Sequence, residues 1–265
     1  LGSRQVALWG QEKYRRKHLT FVYTFLVKRL HLQSVNYEAT PWLETHPYNI
    51  PAVQQIRDSG LRFSSPITFF VGENGSGKTT VLESIAVRYK RIGAATPYLR
   101  RTGTELSLED APLSWNTKLG TPDDASPEGF FLRASTLSDL ISDLESTRAR
   151  RTERGYSSRS HGERLLYILN EHFDSSGFYL LDEPETALSF QSQLGLLALL
   201  HNLASRGAQV ICATHSPILL SLPNASILEF GAWGIRQSTP DDLELLRDWK
   251  GFLNAPERWL RNLLE

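Results

Sequence analysis

The sequence predicts an α/β fold built on a mainly parallel core sheet, and three stretches carry that prediction. Thr68-Phe69-Phe70-Val71 is an apolar run that leads through a glycine-rich turn into helix-spaced residues from Thr79 onward. Phe178-Tyr179-Leu180-Leu181 and Val210-Ile211-Cys212-Ala213 are unbroken apolar runs, the pattern of strands buried on both faces. Each ends in polar residues, Asp182-Glu183 and Thr214-His215. Helical patterns alternate with these strands, and in such sheets ligands sit at the carboxyl ends of the strands.

The bulk composition narrows the class. A chain of 265 residues that is 40% hydrophobic can bury one large core. Twenty-nine Lys+Arg balance 29 Asp+Glu, so no global field selects nucleic acid or an anionic membrane. The single cysteine, Cys212, excludes an intrachain disulfide and a multi-cysteine zinc site. It reads as an inert core residue and suits a reducing, cytoplasmic location. The apolar run from Leu19 to Val27 is shorter than the roughly 20 residues of a spanning helix. It reads as a strand, so no membrane segment is expected, and Leu1-Gly2-Ser3 reads as a remnant of cloning.

In chain order, aromatic and β-branched residues from His18 to Val35 predict strands of an early sheet. Pro41, Pro47 and Pro51 mark an irregular connection, Ala52 to Ser59 a short helix closed by Gly60. The helix after the glycine turn is predicted to run to about Arg91. Gly93 to Glu128, with Pro97, Pro112, Pro122 and Pro127, reads as loop. Gly129-Phe130-Phe131-Leu132-Arg133 is a strand candidate, and Ser135 to Arg148 carries Leu137, Leu140, Ile141 and Leu144 on one helical face. The basic tract from Arg148 to Gly155 reads first as a solvated loop, with phosphate-backbone contact as the functional alternative. Helices follow at Leu165 to Phe173 and Gln191 to Ser205. A closing hairpin spans Ile227 to Arg236, and Asp241 to Leu264 is helical with a break near Pro256. The organisation expected is a single domain over 1–265. It has a β-rich N-terminal part at 1–65, an inserted loop and helical lobe at 93–165, and a C-terminal helical segment at 241–265.

Gly72 through Thr79 satisfies G-x-x-x-x-G-K-[ST], a phosphate-binding loop. Its glycines let backbone N–H groups approach an anion, and the following helix turns its positive end toward it. Asn74, Gly75, Ser76, Gly77, Lys78, Thr79 and Thr80 are therefore the candidate nucleotide-binding residues, with the Thr79 hydroxyl placed for Mg2+. Asp182 before Pro184 would by itself read as a helix cap. With Lys78 upstream, Asp182 reads instead as a Mg2+ ligand through water, and Glu183 as the base for an attacking water. His215, at the end of another apolar strand, is the candidate partner of the γ-phosphate.

Gly72 to Thr79, Ser160-His161-Gly162-Glu163, Leu180-Leu181-Asp182-Glu183-Pro184 and Thr214-His215-Ser216, in that order, resemble the ABC-type (ATP-binding-cassette) P-loop ATPases. The nearest resemblance is to small stand-alone bacterial ATPases related to the soluble heads of chromosome-maintenance and DNA-repair proteins. It implies the ABC-type P-loop NTPase fold, with an N-terminal antiparallel β part and a smaller helical lobe. It also implies Mg2+-dependent ATP hydrolysis in a head-to-tail homodimer, where Ser160, Gly162 and Glu163 of one subunit cap ATP held by the other. The chain departs from the family pattern in several places. His161 replaces a glycine, Glu163 a frequent glutamine, and Ser189 the usual aspartate of the dimer-contacting turn, while no glutamine follows Phe130-Phe131-Leu132. Tyr37, Trp42 and Tyr48 are candidate adenine-stacking aromatics. The process served is left open between a protein partner and DNA, in repair or defence. A transporter's nucleotide-binding subunit and a slow-turnover binding switch are the alternatives. A guanine-reading Asn-Lys-x-Asp segment is absent.

Overall fold

A computed structural model describes residues 30–41, 44–92, 111–125, 129–133, 166 and 176–264 of the chain. Strands β1 (Ser34–Tyr37), β2 (Leu61–Arg62), β3 (Ile67–Gly72), β4 (Thr117–Gly120), β5 (Gly129–Arg133), β6 (Phe178–Asp182), β7 (Gln209–Ala213), β8 (Ser226–Gly231) and β9 (Gly234–Ser238) form two sheets. The smaller is antiparallel, ordered β2-β1-β4; the larger is ordered β5-β6-β7-β3-β8-β9 and is parallel except for the β8–β9 hairpin. Helices α1 (Pro51–Ser59), α2 (Lys78–Ile92), α3 (Phe190–Ser205), α4 (Glu244–Asn254) and α5 (Pro256–Leu264) complete the regular elements among the described residues, with short 3-10 turns at Pro112–Asn116, Pro184–Ala187 and Leu219–Ser221. The mixed α/β architecture with a mainly parallel core is the one the sequence predicts.

Period-two alternation decides how the layers stack. Phe69 and Val71 of β3, Leu181 of β6 and Val210 and Cys212 of β7 face α3 and the Leu219–Leu222 turn. Phe70, Leu180, Ile211 and Ala213 face the other way, onto α1, α2 and the antiparallel sheet. Both faces of the parallel sheet are therefore covered, which is why the central positions of these strands are apolar on both faces. Cys212 is fully buried and its thiol is pushed up by that burial, in keeping with a core residue.

Two expectations change. Residues 117–120 are not loop: Thr117↔Tyr37 through Gly120↔Ser34 pair in antiparallel register, giving β1 a second partner. Prolines at 112 and 122 bracket that strand rather than abolish it, since Pro112 opens the preceding 3-10 turn. Leu30–Gln33 is not strand either. Its geometry is set by Gln209, whose Oε1 accepts from the Leu32 N–H at 2.7 Å and whose Nε2 donates to the Leu32 carbonyl at 2.8 Å. The expected strands before residue 30 and the helices at Ser135–Arg148 and Leu165–Phe173 lie outside the described residues, apart from Leu166, which is helical.

Gln209 is 1% exposed, and it fastens the chain entering the small sheet to the start of a central strand. Gln209→Ala leaves two buried backbone groups at Leu32 without partners. The expected loss is about 2–4 kcal/mol of unfolding free energy. Urea denaturation checks it: the midpoint falls with an unchanged slope.

Candidate functional site

The parallel register sets Asp182, Ala213 and Phe70 in one row across β6, β7 and β3, so the three chains emerge at the same edge of the sheet. Beyond that row β3 runs on to Gly72. Gly72 has φ +148°, and a Cβ there would meet the Phe230 carbonyl oxygen at 2.2 Å, so only glycine lets the strand end lie against β8. Gly77, at φ +100°, likewise turns the chain into α2, with Ile50 closing on the position its Cβ would take.

Within the loop, the Lys78 ammonium donates to the Gly72 and Glu73 carbonyls at 2.7 and 2.8 Å. The side chain is 96% hidden, and burial lowers its pKa while Glu183, Asp182 and Glu185 pull it back up. The loop is thus wound around its own cation. Ser76 Oγ is buried with no hydrogen-bond partner among the described residues, whereas Gly75 faces open space. An orphaned hydroxyl beside a sequestered ammonium and the start of a 15-residue helix suits an oxyanion, so these residues fit a nucleotide phosphate.

Thr79 Oγ1 donates to Asp182 Oδ1 at 3.1 Å, a contact that crosses over β7, since β7 lies between β6 and β3. Burial raises the Asp182 carboxyl above its usual range; the Thr79 hydrogen bond and the charges of Arg133 and Lys78 oppose the shift, and Glu183 adds to it. A buried carboxylate held at that cost beside a hydroxyl fits Mg2+. Among the described residues no three His, Cys, Asp or Glu side chains could enclose a metal, so phosphate and water would complete such a shell.

Glu183 follows in the left-handed region, φ 50° and ψ 48°. For a non-glycine residue this costs on the order of 1–2 kcal/mol, and Pro184 disfavours the right-handed alternative. The Glu183 N–H donates to the Ala213 carbonyl at 2.9 Å, which helps hold the strained turn. Its carboxylate stands 3.5 Å from His215 Nε2, an atom that is buried without a hydrogen-bond partner among the described residues. Glu183 and His215, with Glu73, Asn74, Glu185 and Thr186, line an open cleft of about 550 Å³.

The structure therefore brings together the 74–80 loop, Asp182, Glu183 and His215. Ser160, Gly162 and Glu163 lie outside the described residues, as do His161 and Trp42. Tyr37 does not qualify as an adenine-stacking aromatic: it is 4% exposed, with its hydroxyl on Ser84 Oγ at 2.9 Å inside the core. Tyr48 is half-buried, its hydroxyl donating to the Pro112 carbonyl. At the end of β5, where the family pattern has a glutamine loop, Arg133 pairs with Glu83 of α2. Ser189 caps α3, its Oγ accepting from the Ser192 N–H at 3.2 Å, a job serine does as well as aspartate. Glu185 and Gln193, which hold the His215 loop, gave no signal in the sequence beyond a second acidic residue after Asp182-Glu183.

A phosphate loop on β3, with a threonine–aspartate bridge to a strand two places away, defines a P-loop nucleoside-triphosphatase fold. Two family profiles match parts of the chain. One described as "AAA domain, putative AbiEii toxin, Type IV TA system" matches residues 164–221, and one described as "AAA domain" matches residues 49–87. The "ABC transporter ATP-binding protein/permease PDR18" of Saccharomyces cerevisiae is 25% identical over 181 residues, covering 60% of this chain and 13% of that protein. The "ABC transporter G family member 22" of Arabidopsis thaliana is 28% identical over 205 residues, covering 65% of this chain and 27% of that protein. The chain thus spans under a third of the length of these relatives. A solved structure titled "An inward-facing conformation of a putative metal-chelate type ABC transporter" is 19% identical, covers 70% of this chain and 76% of that one, and superposes with a TM-score of 0.39. In the order of its motifs and in these partial matches, the chain is similar to ABC-type P-loop ATPases.

Lys78→Ala removes the one ammonium inside the loop and is expected to weaken Mg-ATP binding on the order of a hundredfold or more. Titration calorimetry reads this directly, and wild-type affinity in the variant would exclude the loop as the phosphate site.

Proposed function

We propose that the chain binds ATP with Mg2+ and hydrolyses it to ADP and phosphate. The observation that supports this best is the convergence of Lys78, Asp182, Glu183 and His215 on one edge of the sheet, around a cleft. In this reading the loop N–H groups of residues 74–80 and the Lys78 ammonium hold the phosphates. Thr79 and, through water, Asp182 would hold Mg2+, which would supply positive charge at the phosphates. Glu183 takes a proton from a water whose oxygen bonds to the γ-phosphorus as the bond to the β,γ-bridging oxygen breaks. His215 orients that water and the γ-phosphate; its Nε2 makes no hydrogen bond among the described residues and stands 3.5 Å from the Glu183 carboxylate.

In the same reading the chain is one soluble, cytoplasmic domain. Its ATP-bound form pairs head to tail with a second copy, Ser160, Gly162 and Glu163 of each capping the nucleotide of the other. The dimer drives a protein partner or a DNA-related process such as repair or defence. Two features support a partner-driven role: among the described residues no helix is long and apolar enough to cross a membrane, and α4 and α5 expose Trp249, Phe252, Leu253, Leu260, Leu263 and Leu264. The second reading, a transporter's nucleotide-binding subunit, draws on the names of the curated relatives. A slow-turnover switch uses the same site with a small rate of hydrolysis.

Glu183→Gln is expected to bind Mg-ATP, turn over on the order of a hundredfold or more slowly, and shift from monomer to dimer in light scattering when Mg-ATP is added. Ser160→Arg in the same background should bind ATP yet stay monomeric. A Glu183→Gln variant with wild-type turnover removes Glu183 from the role of base, and a Ser160→Arg variant that still dimerises removes Ser160 from the interface.

A further inference from the structure

Strand β7 ends at Ala213, and the two residues after it carry the chain into the cleft. The Thr214 N–H still reaches β3, donating to the Phe70 carbonyl at 3.0 Å. The His215 N–H does not continue the ladder; it donates to Glu185 Oε1 at 2.6 Å, a charge-assisted bond. The next residue is tied to the same neighbouring segment. Ser216 Oγ donates to Gln193 Oε1 at 2.6 Å while accepting from the Ile218 and Leu219 N–H groups, both at 3.2 Å. Gln193 in turn donates from Nε2 to the Leu188 carbonyl at 3.1 Å.

The His215 ring is not held in this way. Its Nε2 has no hydrogen-bond partner among the described residues, and the nearest charge, Glu183, stands off at 3.5 Å. Placement of the imidazole therefore comes from the backbone beneath it. Glu185 spends only one carboxylate oxygen on that bond, and Oε2 is buried without a hydrogen-bond partner among the described residues. A backbone N–H needs one acceptor, which a neutral amide oxygen at the same position could also supply.

From this geometry we infer that Glu185 is the positioning residue for His215, fixing the backbone that aims the imidazole into the cleft, with Gln193 securing the following turn. The inference rests on the proposed ATP hydrolysis, because that reaction is what the aimed imidazole serves. It adds a mechanical link: Glu185 lies within the Pro184–Ala187 turn that follows Glu183, so a displacement of that turn reaches the His215 backbone through this bond.

The test uses the full chain with Glu185→Ala, Glu185→Gln and Gln193→Ala, reading amide hydrogen exchange by NMR and steady-state Mg-ATP hydrolysis. Glu185→Ala should speed exchange at the His215 amide by about tenfold or more while the β7 amides stay protected. It should lower kcat by about 10- to 100-fold with KM within about threefold of wild type. Glu185→Gln, keeping an acceptor oxygen, should restore both, and Gln193→Ala should lower kcat less than Glu185→Ala. Unchanged exchange and kcat in Glu185→Ala would overturn the proposal. So would a rise in KM alone, which would make Glu185 a nucleotide contact, or a Glu185→Gln variant that protects the amide but remains as slow as Glu185→Ala, which would make the carboxylate act directly. If the wild type releases no phosphate, hydrolysis fails as a reading, while exchange at His215 still decides whether Glu185 holds it.

Discussion

Everything at the site depends on the parallel pairing of β6, β7 and β3 in one register. It lines up Asp182, Ala213 and Phe70, so the phosphate loop, the acidic pair and the histidine loop leave the sheet side by side. The Thr79–Asp182 hydrogen bond can cross β7 only because these ends are level. A slip by one residue would turn Asp182 to the other face and bury it against the core. Packing enforces the register from both sides, since alternate residues of each strand sit in different hydrophobic layers.

The edge is electrostatically lopsided. Asp182, Glu183, Glu185 and Glu73 converge near Lys78, which is already bound to two carbonyls. In the proposed function, a triphosphate among these carboxylates would gain little from one ammonium, and a divalent cation with the loop N–H groups would offset the repulsion. The left-handed backbone at Glu183 persists because surrounding bonds, among them its N–H to the Ala213 carbonyl, hold the turn.

Most of the parallel core was legible from residue type alone. β5, β6 and β7 are short, mainly apolar runs bounded by polar or glycine residues, and the β8–β9 hairpin and the break at Pro256 were equally plain. What escaped depended on partners distant in sequence. Thr117–Gly120 has weak strand character and becomes a strand because β1 offers it a ladder. Leu32 is held by Gln209, 177 positions away. At the site, the motif residues were readable because each chemistry demands a specific residue type. Glu185, Gln193 and the Arg133–Glu83 pair act by contact geometry, which no local pattern announces.

In the proposed reaction, water positioned by Glu183 and His215 attacks the terminal phosphate of ATP held by the Lys78 loop. The most direct measurement is phosphate release from Mg-ATP in ¹⁸O-labelled water, with mass analysis of the product. The account predicts one solvent-derived ¹⁸O in each phosphate released under single-turnover conditions, and no label in ADP. Consumption of ATP without labelled phosphate, with the phosphoryl group found on an acceptor, would contradict it.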